Sequence, residues 1–160
     1  VHGRTRACAF TGPVEYDTLA SMVEAVDIPV YANGNIDSAQ QAAAVLDYTG
    51  AAGVMIGRAA QGRPWLCGQI ATYLETGVTP ADLSPESKLA IIRRHVSELH
   101  LFYGEYLGVR TARKHVGWFL DAHGYPKTQR RLFNQLAHPK EQLHYIDRHI
   151  GFQHKKELAA

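Results

Sequence analysis

Apolar positions in the first half of the chain switch repeatedly between two periods. From Tyr16 to Asp27, Leu19, Met22, Val23 and Val26 recur at three- and four-residue intervals, which predicts one face of a helix. The run IPVYA at 28–32 follows and predicts a short strand, with Pro29 near its start, where a missing backbone donor is tolerated. NGNIDS reads as a loop. Asp37 or Ser38 can cap the alanine-rich helix AQQAAAVLDYT, and Gly50 ends it. AAGVMIG at 51–57 predicts a second buried strand, and WLCGQIATYLE at 65–75 another helix. Strands about two dozen residues apart with a helix between them define βα units and parallel pairing. Two and a half such units do not close a sheet. Either the sheet is open or further strands lie upstream of Val1.

The pattern changes after the Gly-, Pro- and Asp-rich stretch GVTPADLSP, the expected domain boundary. Beyond it every periodic segment is helical. Ser84 is placed to cap a helix, with Pro85 and Glu86 in its first turn. Leu89, Ile92, Val96, Leu99 and Tyr103 mark one face, and Gly104 closes it. Further helices are expected at about 108–122, 128–137 and 139–150. The predicted division is 1–78 for the βα units, 79–152 for an all-α domain and 153–160 for a flexible tail.

Charge sharpens this division. Residues 1–80 carry four Arg and no Lys against seven Asp and Glu, a net −3; residues 81–160 carry thirteen basic and eight acidic residues, a net +5. Eight of the nine histidines also lie in the second half. Two units with different partners fit this asymmetry, the second suited to a polyanion. The 46% hydrophobic content is that of a globular chain, and no apolar run approaches membrane-spanning length. Cys8 and Cys67 form no CxxC pair and read as free thiols of a cytoplasmic protein. His95 and His100, five residues apart, point to different helix faces, so no metal site is expected.

The chemistry-bearing residues sit where strands end. His2-Gly3-Arg4-Thr5, Asn33-Gly34-Asn35 and Gly57-Arg58 all follow predicted strands. Parallel α/β folds bind ligands at the carboxyl ends of strands. Glycines let backbone N–H groups approach an oxyanion, a helix start adds donors, and an arginine forks onto phosphate. In the helical half, Val109, Ala112, Val116, Phe119 and Leu120 share an apolar face near 108–122. Arg110, Arg113, Lys114 and Gly117 share its flank, and Lys127, Arg130 and Arg131 form a second basic cluster. Such stripes suit the phosphates of folded RNA, or else form a solvated helix face. Trp118 reads as a packing residue, as do Arg63, Pro64 and Trp65.

Taken together, HGRTR at 2–6, NGN at 33–35, GRAAQGRPWL at 57–66 and ARKHVGWFL at 112–120 resemble the tRNA-dihydrouridine synthases, and most closely their bacterial B-type branch. The resemblance runs over essentially the whole chain. It implies the C-terminal part of a (β/α)8 TIM barrel followed by an all-α helical bundle that docks tRNA. It implies an oxidoreductase in which FMN, reduced by NADPH, passes hydride to a D-loop uridine, with a monomer expected for the complete enzyme. By resemblance, His2, Asn33, Gly34, Asn35, Gly57 and Arg58 bind the flavin. Arg4, Arg6, Arg110, Arg113, Lys114, Lys127, Arg130 and Arg131 face RNA, Arg4 and Arg6 being equally readable as loop salt-bridge partners. The family usually carries an acidic residue third in the NG motif, and Asn35 stands there. The family's proton-donating cysteine precedes HGRT, so neither Cys8 nor Cys67 matches it. The chain is therefore expected to be a C-terminal fragment, inactive alone, with no catalytic residue of its own. Another FMN- or phosphate-binding barrel enzyme and a non-catalytic RNA-binding module are the alternative readings.

Overall fold

The computed structural model describes residues 1–8 and 11–150. The expected tail at 153–160 lies outside the described residues. The chain divides into two compact units, Val1–Pro80 and Ala81–Ala160.

In the first unit, α1 (Tyr16–Glu24), β1 (Tyr31–Ala32), α2 (Ala39–Thr49), β2 (Gly53–Val54) and α3 (Leu66–Thr76) alternate as the periodicity predicts. β1 and β2 pair in parallel, Tyr31 opposite Gly53 and Ala32 opposite Val54. A parallel bridge joins His2 to Asn33, so the Val1–Gly3 segment runs alongside β1. The ends of α2 follow their local chemistry. The Ser38 hydroxyl accepts from the Gln41 N–H at 3.2 Å, and Gly50 takes the left-handed conformation, φ +66°, that terminates the helix.

The strands are shorter and less buried than expected. Val30 and Ala32 are buried, whereas Tyr31 and Met55 are each 57% exposed. Leu19, Ala32, Ile36, Ala39, Ala42, Val45, Leu66 and Ile70 form the core on the helix-covered face. No described element of this unit buries the other face, so the sheet alternates between buried and exposed positions. α1 likewise buries only Leu19 of its expected apolar face; Met22 and Val26 remain exposed.

The second unit contains α4 (Pro85–Ala122), α5 (Lys127–Gln135), α6 (Pro139–Tyr145) and a widened turn, Ile146–Ile150. Ser84 caps α4 by accepting from the Ser87 N–H, with Pro85 in the first turn, as the sequence predicts. Gly104, at φ +73° and ψ 177°, breaks α4 into two arms, 85–103 and 105–122. The second arm thus begins slightly before its expected start. At the bend, a Cβ on Gly108 would stand 2.8 Å from both His100 Cα and Leu99 O. Only glycine lets the arms meet there. Ile92 and Val96 from the first arm, and Val109, Ala112, Val116, Phe119 and Leu120 from the second, enter the core with Phe133, Ile146 and Ile150. Tyr103, expected on the buried face, is 46% exposed beside the break.

One buried polar link joins these elements. The wholly buried Gln142 donates from Nε2 to Val109 O at 3.1 Å, and its Oε1 lies 2.8 Å from His100 Nε2. Since Oε1 can only accept, His100 Nε2 carries the proton.

Two histidines give this unit opposite responses to pH. Burial holds His115 below its ordinary 6.5, and His95 and Lys114 push it the same way. The hydrogen bond that His138 Nδ1 donates to Glu105 Oε1 and the charge of Glu141 raise His138 above 6.5. The unfolded chain binds the extra proton at position 115, so stability falls as pH drops below 6.5 toward the folded value. The folded chain binds the extra proton at position 138, so stability falls as pH rises from 6.5 through the folded value. Thermal melting across pH 5–8 is expected to lose part of its acid slope in His115→Gln and part of its alkaline slope in His138→Gln. The second effect is smaller, because solvent screens the exposed pair.

Candidate functional site

The strand ends of the first unit open onto one cavity of about 980 Å³. Its lining includes His2, Asn33, Gly34, Asn35, Gly57 and Arg58, all six residues expected to bind the flavin, and also Tyr16, Gln41, Met55 and Arg63. Parallel pairing explains why they meet. His2, β1 and β2 run the same way, so the residues that follow them emerge at the same edge.

Glycines at this edge permit close approach. A Cβ on Gly3 would lie 2.4 Å from Val14 Cγ1, and one on Gly34, at φ +146°, would lie 2.7 Å from the same atom. The loop bearing Val14 therefore packs directly on two strand ends. The Tyr16 hydroxyl donates to Gly34 O at 2.7 Å and ties α1 to that loop. The backbone N–H groups of Gly34, Asn35 and Gly57 take no partner among the described residues. Unpaired donors beside two arginines are what an oxyanion requires.

Several side chains do work other than that expected of a phosphate ligand. Asn33 Nδ2 donates to Met55 O at 2.8 Å, so this amide cross-links the ends of β1 and β2. Gly57 is followed not by a full helix but by a single 3-10 turn, Arg58–Ala60, with α3 starting at Leu66. Asn35 occupies the left-handed region at φ +48°, where Asn and Asp are the favoured non-glycine residues. Its Oδ1 accepts from Arg4 Nη1 at 3.1 Å. Arg4 also donates from Nε and Nη2 to Gly12 O at 2.9 and 2.6 Å. The Arg4 backbone N–H donates to His2 Nδ1 at 3.0 Å, which leaves Nε2 as the protonated nitrogen of a neutral His2 ring. Arg6 is exposed in a 3-10 turn, Arg6–Cys8, where the Thr5 hydroxyl contacts the Cys8 sulfur at 3.3 Å. Arg63, expected as a packing residue, has a different place. It is half-buried at the cavity, and its guanidinium makes no hydrogen bond among the described residues.

In the second unit the basic stripe separates into two groups. Arg110 and Lys114 are exposed. The Arg110 guanidinium lies 5.4 Å from the Tyr106 ring centre, and Lys114 Nζ lies 4.9 Å from that of Trp118. Trp118 also meets the edge of His115 at 5.2 Å, a packing contact. Lys127 and Arg131 are exposed on α5. Arg113 and Arg130 are instead engaged within the unit. Arg113 Nη2 donates to Leu136 O at 3.0 Å and holds the end of α5. Arg130 pairs with Asp121 at 2.5 Å. Gly117, expected to leave the stripe open, is buried beneath Arg130: a Cβ there would stand 2.9 Å from Arg130 Nε. Among the described residues no group of three or more His, Cys, Asp or Glu is placed to hold a metal, and no helix is long and apolar enough to cross a membrane.

Parallel strand ends thus bring glycines, two arginines and unpaired backbone donors to one edge of an α/β unit. The family model for dihydrouridine synthase (Dus) matches residues 1–156, and the chain belongs to that family. It is 53% identical over 136 residues to tRNA-dihydrouridine synthase B of Vibrio parahaemolyticus serotype O3:K6, covering 85% of this chain and 42% of that protein. It is 51% identical over 142 residues to the synthase B of Pseudomonas syringae pv. tomato, covering 89% and 42%. Against the synthase B of Serratia marcescens it is 47% identical over 163 residues, covering 99% and 48%. The chain spans about half the length of the curated relatives it matches.

Proposed function

We propose that this chain supplies the phosphate-binding edge of the flavin site, and a tRNA-docking surface, of an enzyme that reduces a D-loop uridine of tRNA to 5,6-dihydrouridine. The first unit would form the last strands of a (β/α)8 barrel and the second a helical domain. One observation carries the reading: six motif residues drawn from three strand ends line a single cavity that also offers unpaired backbone donors.

The residues fit a flavin phosphate. Gly34, Asn35 and Gly57 would present N–H groups to its oxygens, Arg58 and Arg63 would neutralise its charge, and His2 would donate from Nε2. Bound FMN supplies hydride chemistry, with NADPH as the reductant. The chain's own contribution is to bind and orient. Asn33 fixes the spacing of two strand ends, and Tyr16 holds the Gly34 loop.

For tRNA, the exposed Arg110, Lys114, Lys127 and Arg131 would meet backbone phosphates, as would the exposed Arg6 of the first unit. Arg113 and Arg130 would act mainly by holding α5 in place. Arg58→Ala is expected to weaken FMN binding about 10- to 100-fold, the range for losing a charge-assisted contact. Lys114→Glu with Arg110→Glu is expected to abolish the gel shift of a tRNA transcript while leaving FMN affinity unchanged. FMN affinity unchanged in Arg58→Ala would overturn the flavin assignment; an unchanged gel shift would overturn the RNA assignment.

A further inference from the structure

Arg4 was expected either to face RNA or to serve as a loop partner, and its surroundings suggest a more specific role. Its side chain spans two segments. Nε and Nη2 grip Gly12 O on the loop that carries Val14, and Nη1 grips Asn35 Oδ1 on the loop after β1. Its backbone N–H fixes the Nδ1 side of the His2 ring. Val14 fills the space left by the missing side chains of Gly3 and Gly34. Thus the segment after His2, the 11–15 loop and the Gly34-Asn35 turn are joined at one guanidinium. Two unpaired N–H groups belong to that turn, and Asn35 holds them from a left-handed conformation at φ +48°.

We propose that Arg4 is a positioning residue for the phosphate end of the flavin site: through Asn35 and His2 it aims the Gly34 and Asn35 N–H groups at the phosphate. This rests on the flavin reading above. The ligand chemistry is a phosphate monoester, and Arg4 itself does not touch it. The same geometry accounts for position 35. The Asn35 amide oxygen accepts from Arg4 as a carboxylate oxygen would, so the acidic residue usual in the family and the amide found here can serve one purpose.

Two measurements test this separately from the flavin reading. FMN and riboflavin, which differ only in the phosphate, are titrated against the chain and against Arg4→Met, with flavin fluorescence as the readout. Arg4→Met is expected to weaken FMN about tenfold and leave riboflavin unchanged, the loss of aim at one end of the ligand. A merely structural role would weaken both ligands together. Arg4→Lys combined with Asn35→Asp is expected to restore the preference for FMN. If the unaltered chain prefers FMN and Arg4→Met prefers it equally, the positioning role is overturned and the flavin reading stands. If the unaltered chain shows no preference, both fall. The second measurement needs no flavin. In Asn35→Asp, the new carboxyl is followed by NMR titration. It is expected to titrate below the ordinary aspartate range and to return to that range when Arg4→Met is added. A titration indifferent to Arg4 would overturn the contact on which the proposal stands.

Discussion

Gly34→Val is expected to disable the cavity and to destabilise the first unit by about 2–6 kcal/mol, the combined range for a strained backbone and an overfilled site. Two separate costs act at this position. The backbone at φ +146° is a conformation that a β-branched residue resists. The added Cβ would also stand 2.7 Å from Val14 Cγ1 and 3.2 Å from Cγ2. These costs can be separated. Combining Gly34→Ala with Val14→Ala relieves the contact but not the backbone, so only part of the stability should return. Full recovery would show that the conformation at Gly34 carries no cost. Thermal melting and flavin titration of the same variants would also show whether binding is lost together with packing.

Phe119→Ala is the second large effect, expected to cost the helical unit about 3–5 kcal/mol, the range for deleting a buried aromatic ring. The Phe119 ring is 2% exposed and stacks on His123, with centroids 4.3 Å apart. Tyr125 lies 6.4 Å away across the turn that leads to α5. Loss of the ring would therefore loosen the junction between α4 and α5 as well as leave a void. Urea denaturation should show a lower midpoint with an unchanged slope. A shift near zero would mean that the second arm of α4 is not held by its apolar face.

Those two positions illustrate what could be read from the sequence. Features set by neighbours in the chain were legible. Ser38 and Ser84 cap, Gly50 and Gly104 terminate or break helices, and the Val109–Leu120 face is buried, because each depends on one or two turns of backbone. The six cavity residues were legible for a similar reason: each motif directly follows a strand, and parallel strands end at the same edge. What escaped was set by distant partners. Arg63 reads as a packing residue until the fold places it at the cavity. Gly117 reads as an open surface until Arg130, thirteen residues later, lies across it. The strands read as buried because IPVYA and AAGVMIG are continuous apolar runs. Their exposed positions, Tyr31 and Met55, lie on the face that no described element of the unit covers. The Arg4–Asn35 pair spans thirty-one residues, and no local pattern announces it.

The most direct test of the central claim is the ratio of FMN to riboflavin affinity for this chain, measured side by side at one ionic strength. A phosphate held by the Gly34-Asn35 and Gly57-Arg58 strand ends is expected to make FMN bind at least tenfold more tightly, an advantage worth about 1.4 kcal/mol or more. The advantage should shrink in Arg58→Ala. Equal affinity for the two flavins, or a preference undiminished in Arg58→Ala, would contradict the assignment of this cavity as a phosphate site.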